Sequence, residues 1–144
     1  MSQLIIFDWN RTLFDPDAQA VYPEASVLLG ALKNNTIVLI SRGVSSDPRL
    51  FLGRMGLIDV FSEIIVTKKK TTQLFRRIKI KNSATSFWVI GDKLDSEIAC
   101  GNRAGFTTIR VRQGKFAETL PNTPDEQPCF EVGSLLGCIG ILSS

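Results

Sequence analysis

Short apolar runs alternate with amphipathic segments along the whole chain. The apolar runs occupy residues 4–7, 36–40, 63–66, 86–90 and 106–111. Apolar runs of this length predict strands buried on both faces, and the amphipathic segments between them predict covering helices. The pattern therefore predicts an α/β fold, a Rossmann-like three-layer sandwich around a central parallel sheet of about five strands.

The segments between the runs carry signals for the start and end of helices. Proline suits the first helical position at Pro23 and Pro48, and Asp47 suits the cap of the second helix. The apolar residues expected on the inner face of this second helix are Leu50, Phe51 and Met55. A further helix is predicted from about residue 72, with Leu74, Phe75 and Ile78 as its apolar stripe. Helices are also predicted over residues 96–104 and 134–142, with a sixth short strand at residues 130–132. Every segment belongs to one alternation, so residues 1–144 are predicted to form a single domain.

Composition argues against several classes of function. Histidine is absent and the three cysteines are far apart, so neither a Cys/His zinc site nor a Ser-His-Asp mechanism is expected. The net charge of +3 is too small to imply nucleic-acid binding without a local patch. We find no N-terminal signal sequence and no apolar run long enough to cross a bilayer. A reduced, cytoplasmic location without a membrane partner is therefore expected.

Polar side chains follow four of the predicted strands at the point where each strand ends. They are Asp8, Ser41, the lysines after Val66, and Asp92. Because the carboxyl ends of parallel strands meet at one edge of a sheet, these groups are expected to lie together where ligands of open α/β sheets bind. Two carboxylates, a hydroxyl and an ammonium suit a magnesium ion and a phosphate group.

Two segments resemble motifs of the haloacid dehalogenase (HAD) superfamily. Residues 4–13, LIIFDWNRTL, are similar to the first motif, in which an aspartate nucleophile ends the first strand and a threonine follows four residues later. Residues 91–98, GDKLDSEI, are similar to the fourth motif, which supplies a magnesium ligand. The resemblance implies a Mg²⁺-dependent phosphate-ester hydrolase that acts through an aspartyl-phosphate on Asp8. It implies Asp92 as a ligand of the metal.

The same resemblance assigns the remaining site residues and leaves two choices open. Ser41 and Arg42 match the second motif, which holds the phosphoryl group. A lysine usually lies about six residues before an aromatic of the next helix, and its ammonium neutralises charge at the reaction centre. Counting back from Phe75 selects Lys69, with Lys70 as the alternative. The second acid of the fourth motif is either Asp95 or Glu97.

The first motif departs from the pattern of the family's phosphatases at Asn10 and Arg11. Asn10 replaces a second aspartate that protonates the leaving group and then activates water, and an amide does neither. Its backbone carbonyl, a magnesium ligand in the family, is retained. The residues therefore predict either slow hydrolysis or a catalytically impaired module that binds phosphate or a nucleic-acid end. Arg11 replaces the usual glycine, so it is expected either to alter the loop or to aim a cation at the substrate.

The spacing between motifs leaves no room for a cap domain. In the family, capless members generally act on large substrates or close the site by forming oligomers, so a homo-oligomer is one expectation alongside a phosphorylated substrate. Seven cations crowd residues 68–81 and could grip a nucleic acid; they are Lys68, Lys69, Lys70, Arg76, Arg77, Lys79 and Lys81. Aromatic residues rarely interrupt them, so a solvated helix face is favoured over nucleic-acid binding.

Overall fold

The strand that ends at Asp8 lies in the interior of a six-stranded parallel sheet. The computed structural model describes residues 2–42 and 46–143. The strands are β1 (Gln3–Asp8), β2 (Phe14–Asp15), β3 (Ala20–Val21), β4 (Thr36–Ser41), β5 (Glu63–Val66), β6 (Ser86–Gly91), β7 (Thr107–Val111) and β8 (Phe130–Val132). The sheet order is β5-β4-β1-β6-β7-β8, and β2 and β3 form a separate antiparallel hairpin. The predicted parallel α/β architecture is confirmed, and the sixth short strand is present.

In the described part of the chain, five α-helices cover the sheet: α1 (Pro23–Ala31), α2 (Pro48–Arg54), α3 (Thr72–Lys81), α4 (Ala99–Arg103) and α5 (Gly137–Ser143). A π-helical turn, Leu94–Ile98, leads into α4. Short 3₁₀ turns occupy Ile58–Val60, Gly114–Phe116 and Pro124–Glu126. No helix among residues 2–42 and 46–143 combines the length and the apolar character that crossing a membrane requires.

Alternate residues of β1 enter two separate cores, one on each face of the sheet. Ile5 and Phe7 pack with α1, α2 and α5, whereas Leu4 and Ile6 pack with α3 and α4. This alternation follows from the two-residue period of a strand. Because both faces are apolar, β1 forms a continuous apolar run in the sequence, and its register is fixed on both sides.

The boundaries of α2 follow the sequence signals, but its inner face does not. The Asp47 side chain accepts a hydrogen bond from the Arg49 amide at 3.0 Å, as a helix cap should. Leu52 is fully buried and Phe51 is half-buried, whereas Leu50 and Met55 are exposed. The predicted inward positions of Leu50 and Met55 are therefore wrong. The helix ends at Arg54, so the seven residues present one short stripe centred on Leu52.

Register brings the polar strand ends to the same level. Asp8 pairs with Ile40 of β4, one residue before Ser41, and Phe7 pairs with Ile90 of β6, one residue before Gly91. Asp92 follows at once. Between Asp8 and α1 the chain forms a tight turn and the β2–β3 hairpin.

Candidate active site

The Asp8 carboxylate is held by a turn that folds back on the end of β1. The amides of Thr12, Leu13 and Phe14 all approach the Trp9 carbonyl oxygen, at 3.2, 3.0 and 2.9 Å. This turn returns the Thr12 hydroxyl to Asp8, and it donates to Asp8 Oδ2 at 3.1 Å. Thr12 and Asp8 are both buried. The four-residue spacing of the first motif thus serves to bond a hydroxyl to the carboxylate.

Trp9 anchors this turn to the neighbouring loop. Its ring is 1% exposed and stacks on Phe14, with centroids 5.0 Å apart. Its indole nitrogen donates to Ser46 Oγ at 3.1 Å. Trp9 therefore acts as a packing residue that ties the loops after β1 and β4 together.

Lys70 is the lysine at the site. Its ammonium donates to Asp8 Oδ1 and, at 3.1 Å, to Glu97 Oε1, and its side chain is 3% exposed. Burial alone would lower the pKa of Lys70, but the charges of Asp8 and Glu97 raise it, so the ammonium stays protonated. Lys69 is exposed. The count from Phe75 that selects Lys69 therefore misses by one residue, because Lys70 directly precedes the cap residue of α3 and turns inward.

Glu97, rather than Asp95, lies beside Lys70 in the cleft. Its Oε2 accepts the backbone amides of Asp92 and Lys93 at 2.9 and 2.8 Å, while Asp95 is exposed. Burial and the charge of Asp8 raise the pKa of Glu97. Glu97 therefore orders the loop after β6 and orients Lys70.

The absence of a side chain at Gly91 leaves the space that the Glu97 carboxylate occupies. A Cβ on Gly91 would overlap the Cγ and Oε2 atoms of Glu97. Any side chain there would displace the carboxylate, because real Cβ atoms do not approach so closely. The glycine before Asp92 is therefore needed for close approach.

Asp8 and Asp92 form an unequal pair of carboxyls. Burial would raise the pKa of Asp8, but the Lys70 ammonium and a hydrogen bond from Asp92 hold it below its usual value. Burial and the charges of Asp8 and Glu97 raise the pKa of Asp92 to about 10. Asp8 is therefore the stronger acid of the pair and Asp92 the weaker one.

Arg11 reaches toward Asp92. Its backbone φ is +62°, the left-handed conformation that the family's glycine would adopt easily. Its Nε donates to Asp92 Oδ2 at 3.1 Å, and its guanidinium lies 4.7 Å from the centroid of the Phe116 ring. A Cβ on Gly114 would lie 2.7 Å from Arg11 Cγ. The loop at residues 114–116 therefore forms a fitted support that directs Arg11 to a carboxyl of the site.

A small cleft of about 40 Å³ brings most of the predicted residues together. Its lining includes Asp8, Asn10, Arg11, Arg42, Lys70, Asp92, Lys93, Ser96 and Glu97. Ser41 is fully buried at the end of β4, one residue before Arg42 reaches the cleft. The Asn10 side-chain oxygen is buried and, within the described residues, has no hydrogen-bond partner.

The acidic side chains of the cleft fit a hard divalent cation. Asp8, Asp92 and Glu97 offer carboxylate oxygens within 4.8 Å of one another. Glu97 is the most heavily hydrogen-bonded of the three, since it accepts from Lys70 and from two backbone amides, so Asp8 and Asp92 have more capacity left to bind a cation directly. The side-chain oxygen of Asn10, which has no hydrogen-bond partner among the described residues, adds a neutral oxygen that can bind a cation. One or two carboxylates with a few neutral oxygens is the donor set that Mg²⁺ prefers.

Several contributors to the site are invisible in the sequence pattern. Lys93 and Ser96 line the cleft, although the fourth motif directs attention to Asp92. Phe116 and Gly114 support Arg11 from a loop more than a hundred residues away in sequence. Gly114 has a positive φ of +76°, a conformation that glycine adopts easily. A glycine at this position is therefore a sequence signal for the close-packed turn at residues 114–116.

A protein-family model and a curated protein both match the chain. A family model described as HAD-hydrolase-like matches residues 67–137. The glyceraldehyde 3-phosphate phosphatase of Methanopyrus kandleri is 32% identical, over 77% of this chain and 52% of that protein. The chain thus spans about half the length of this curated relative.

Solved structures share the fold. The HAD-hydrolase YfnB of Bacillus subtilis, bound to magnesium, has a TM-score of 0.69 at 24% identity, over 86% of this chain and 57% of that one. The D,D-heptose 1.7-bisphosphate phosphatase of B. bronchiseptica, complexed with magnesium and phosphate, has a TM-score of 0.76 at 17% identity. The match covers 99% of this chain and 98% of that one. At these identities the likeness establishes the common architecture.

Proposed function

Because the chain belongs to the haloacid dehalogenase superfamily, we propose that it is a magnesium-dependent phosphate-ester hydrolase that acts through an aspartyl-phosphate on Asp8. The strongest support is the buried contact of Lys70 with both Asp8 and Glu97. A buried ion triad costs desolvation energy and is seldom kept for stability alone, so it points to a site that handles charge.

Asp8 is proposed as the nucleophile. Lys70 and Thr12 hold its carboxylate, and the lowered pKa of Asp8 keeps it ionised. Attack on phosphorus forms a bond from an Asp8 oxygen and breaks the bond to the leaving oxygen, which takes its proton from water. Water then attacks the aspartyl-phosphate, breaks the bond from phosphorus to the Asp8 oxygen, and releases inorganic phosphate.

We propose that Mg²⁺ is held by Asp8, Asp92 and the backbone carbonyl oxygen of Asn10. When bound, the ion would offset the charge of the paired carboxylates and of the phosphoryl oxygens. Glu97 holds the loop that carries Asp92 through two backbone amides. Arg42 is proposed to bind phosphoryl oxygens, since it is exposed at the rim of the cleft. Ser41 is proposed to do the same in the bound state.

Asn10 sets the expected rate. An amide donates and accepts hydrogen bonds but transfers no proton at neutral pH, so both the departure of the alcohol and the attack of water lack a general acid or base. Loss of such a group slows a reaction by about 10² to 10⁴. The enzyme is therefore proposed to be slow on ordinary esters and faster where the leaving group needs no proton.

Phosphatase assays with and without Mg²⁺ test this proposal. The first substrates are p-nitrophenyl phosphate, whose leaving group is good, and glyceraldehyde 3-phosphate, which the curated relative's name indicates. We expect release of phosphate that requires Mg²⁺ and disappears in Asp8→Asn. Activity that is equal in Asp8→Asn, or unaffected by removal of Mg²⁺, would refute the mechanism.

Asn10 also favours a second candidate, a module that binds phosphate without turning it over. In the sequence Asn10 takes the position at which the family's phosphatases carry the proton-transfer group, and its side-chain oxygen is buried without a hydrogen-bond partner among the described residues. In that case calorimetry would detect Mg²⁺-dependent binding of phosphate while every ester tested stays intact, and Asn10→Asp would bring no gain.

The location of the protein is proposed from its thiols. Cys100, Cys129 and Cys138 are all free in the structure. Free cysteines are the rule in reducing compartments, so a cytoplasmic location is proposed.

A further inference from the structure

A basic pocket opens beside the reaction cleft. It has a volume of about 330 Å³, and its lining comprises Arg42, Lys68, Lys69, Lys70, Lys93, Asp95 and Ser96. Four of these residues, Arg42, Lys70, Lys93 and Ser96, also line the cleft that holds Asp8. The two spaces therefore share a wall, and a ligand whose phosphoryl group reaches Asp8 can extend directly into the pocket.

Apart from Lys70, which is paired with Asp8 and Glu97, the cations of the pocket are available for a ligand. Within the described residues, Arg42, Lys68 and Lys69 form no ion pair, and all three are exposed. The ammonium of Lys93 lies 5.3 Å from the centroid of the Phe116 ring, which orients it without neutralising it. The exposed Asp95 is the single acidic residue in the lining, so the pocket is strongly positive.

Three of the four cations on α3 are engaged elsewhere, and the fourth, Arg77, is exposed outside the pocket. Arg76 donates to the Arg103 carbonyl, Lys79 to the carbonyls of Ala104 and Gly105, and Lys81 pairs with Glu63. These residues pin α3 to its neighbours. The run thus divides into the cations on α3, which lie outside the pocket, and Lys68, Lys69 and Lys70 before α3, which line it. The cations of this run therefore do not form one continuous row along which a polyanion could bind.

The cleft itself, at about 40 Å³, has room for little more than the reacting phosphoryl group. The remainder of a substrate must lie outside it, and the pocket next to it is lined by cations. We propose that the pocket is a subsite for a second phosphate group, so that the preferred substrate is a small bisphosphate rather than a monophosphate. This inference rests on the proposed phosphate-ester hydrolysis and specifies its substrate class.

Paired substrates that differ by one phosphate test the subsite. Adenosine 3′,5′-bisphosphate is compared with AMP, and fructose 1,6-bisphosphate with fructose 6-phosphate, each with Mg²⁺ at low salt. We expect kcat/KM to be about tenfold higher for each bisphosphate, the size of two partly solvated charge contacts. The preference should shrink at high salt, because exposed charges are screened.

Two double variants with the same loss of charge locate the effect. Lys68→Gln with Lys69→Gln removes two cations of the pocket, and the preference for a bisphosphate should fall to about twofold or less. Lys33→Gln with Arg77→Gln removes two exposed cations outside it, and the preference should persist. Equal rates on both members of each pair in the wild type, or an equal loss in both double variants, would overturn the subsite.

Two further measurements distinguish a small bisphosphate from a nucleic acid, and the subsite from the catalytic step. A 5′-phosphorylated hexa-adenylate that is preferred by another factor of about ten would assign the second phosphate to a nucleic acid and overturn the small-molecule proposal. If no ester is hydrolysed, the proposed function fails, and calorimetry then decides the subsite alone. Tighter binding of each bisphosphate, lost in the Lys68/Lys69 double variant, would still support it, whereas equal binding would refute it.

Discussion

Replacing Lys70 by methionine should destabilise the protein strongly. The side chain of Lys70 is 3% exposed and lies between the carboxylates of Asp8 and Glu97, which are 8% and 3% exposed. Methionine keeps the length and the apolar stem but leaves two buried carboxylates without a cation. Removing one partner of a buried ion pair costs about 3–5 kcal/mol.

The size of the thermal shift follows from the size of the chain. Unfolding entropy near the melting temperature is about 2.1 cal/mol/K per residue, or about 0.3 kcal/mol/K for 144 residues. A loss of about 3–5 kcal/mol therefore lowers Tm by about 10–17 °C. Circular dichroism melts in EDTA measure this without any contribution from metal. Lys69→Met, at the exposed neighbour, is the matched control and should shift Tm by no more than about 2 °C.

The dependence on pH identifies the cause. A buried carboxyl whose pKa is raised on folding, as for Glu97, favours the folded state at low pH and disfavours it as pH rises through the raised pKa. Loss of the Lys70 ammonium raises the pKa of Glu97 further. The difference in Tm between wild type and Lys70→Met should therefore be larger at pH 8 than at pH 5. Adding Glu97→Gln should recover part of the loss. Equal Tm for Lys70→Met and Lys69→Met, or a gap independent of pH, would refute the reasoning.

Four further predictions address the other residues of the site and the thiols. Asn10→Asp should raise hydrolysis of p-nitrophenyl phosphate about tenfold or more, with a larger gain for an alkyl phosphate and none in an Asp8→Asn background; kinetics that show a loss would mean that Asn10 serves a different chemistry. Arg11→Gln frees Asp92 from its guanidinium, so calorimetry should find Mg²⁺ bound about three- to tenfold more tightly, and weaker binding would count against competition for Asp92. Gly91→Ala should destabilise by about 1–3 kcal/mol through overpacking against Glu97, whereas Gly30→Ala, with nothing within 4 Å of the new Cβ, should be neutral or stabilising in urea titrations. Burial raises the pKa of Cys138 to about 12 and also raises that of Cys100, and because a higher pKa means less thiolate at pH 8, a thiol reagent should modify the exposed Cys129 rapidly and the other two only on unfolding; three equally fast thiols would contradict the buried placement.

The strands and the sheet edge that carries the site were predictable because the parallel sheet is covered on both faces. Such strands appear as uninterrupted apolar runs, and the polar residue after each run marks the edge where ligands bind. Asp8 and Asp92 were found in this way. Thr12, the threonine of the first motif, was assigned no role from the sequence, and the structure shows its hydroxyl bonded to Asp8.

The predictions were wrong or left open where the spacing of residues in the sequence does not determine which way a side chain points. Residues 67–71 lie outside any helix or strand, so a count back from α3 cannot say whether Lys69 or Lys70 turns inward. The choice between Asp95 and Glu97 depends on the π-helical turn Leu94–Ile98, whose wider winding changes which side chain faces the sheet. On α2, seven residues are too few for periodicity to separate Leu50 from Leu52.

The contacts of Arg11 and Gly91 required the structure itself. Arg11 meets Phe116 across more than a hundred residues, and Gly91 meets the side chain of Glu97 after a turn. Neither contact has a periodic signature, because each depends on how a loop returns to the sheet edge.

Detection of the phosphorylated enzyme tests the central claim, the nucleophilic role of Asp8, most directly. The protein is mixed with Mg²⁺ and p-nitrophenyl phosphate, quenched in acid after short times, and examined by intact mass and peptide mapping. Since Asn10 provides no base for the attack of water, the aspartyl-phosphate should accumulate, with one phosphoryl group on the peptide that contains Asp8 and none in Asp8→Asn. Release of phosphate without any modified peptide, at the same rate in Asp8→Asn, would contradict the account.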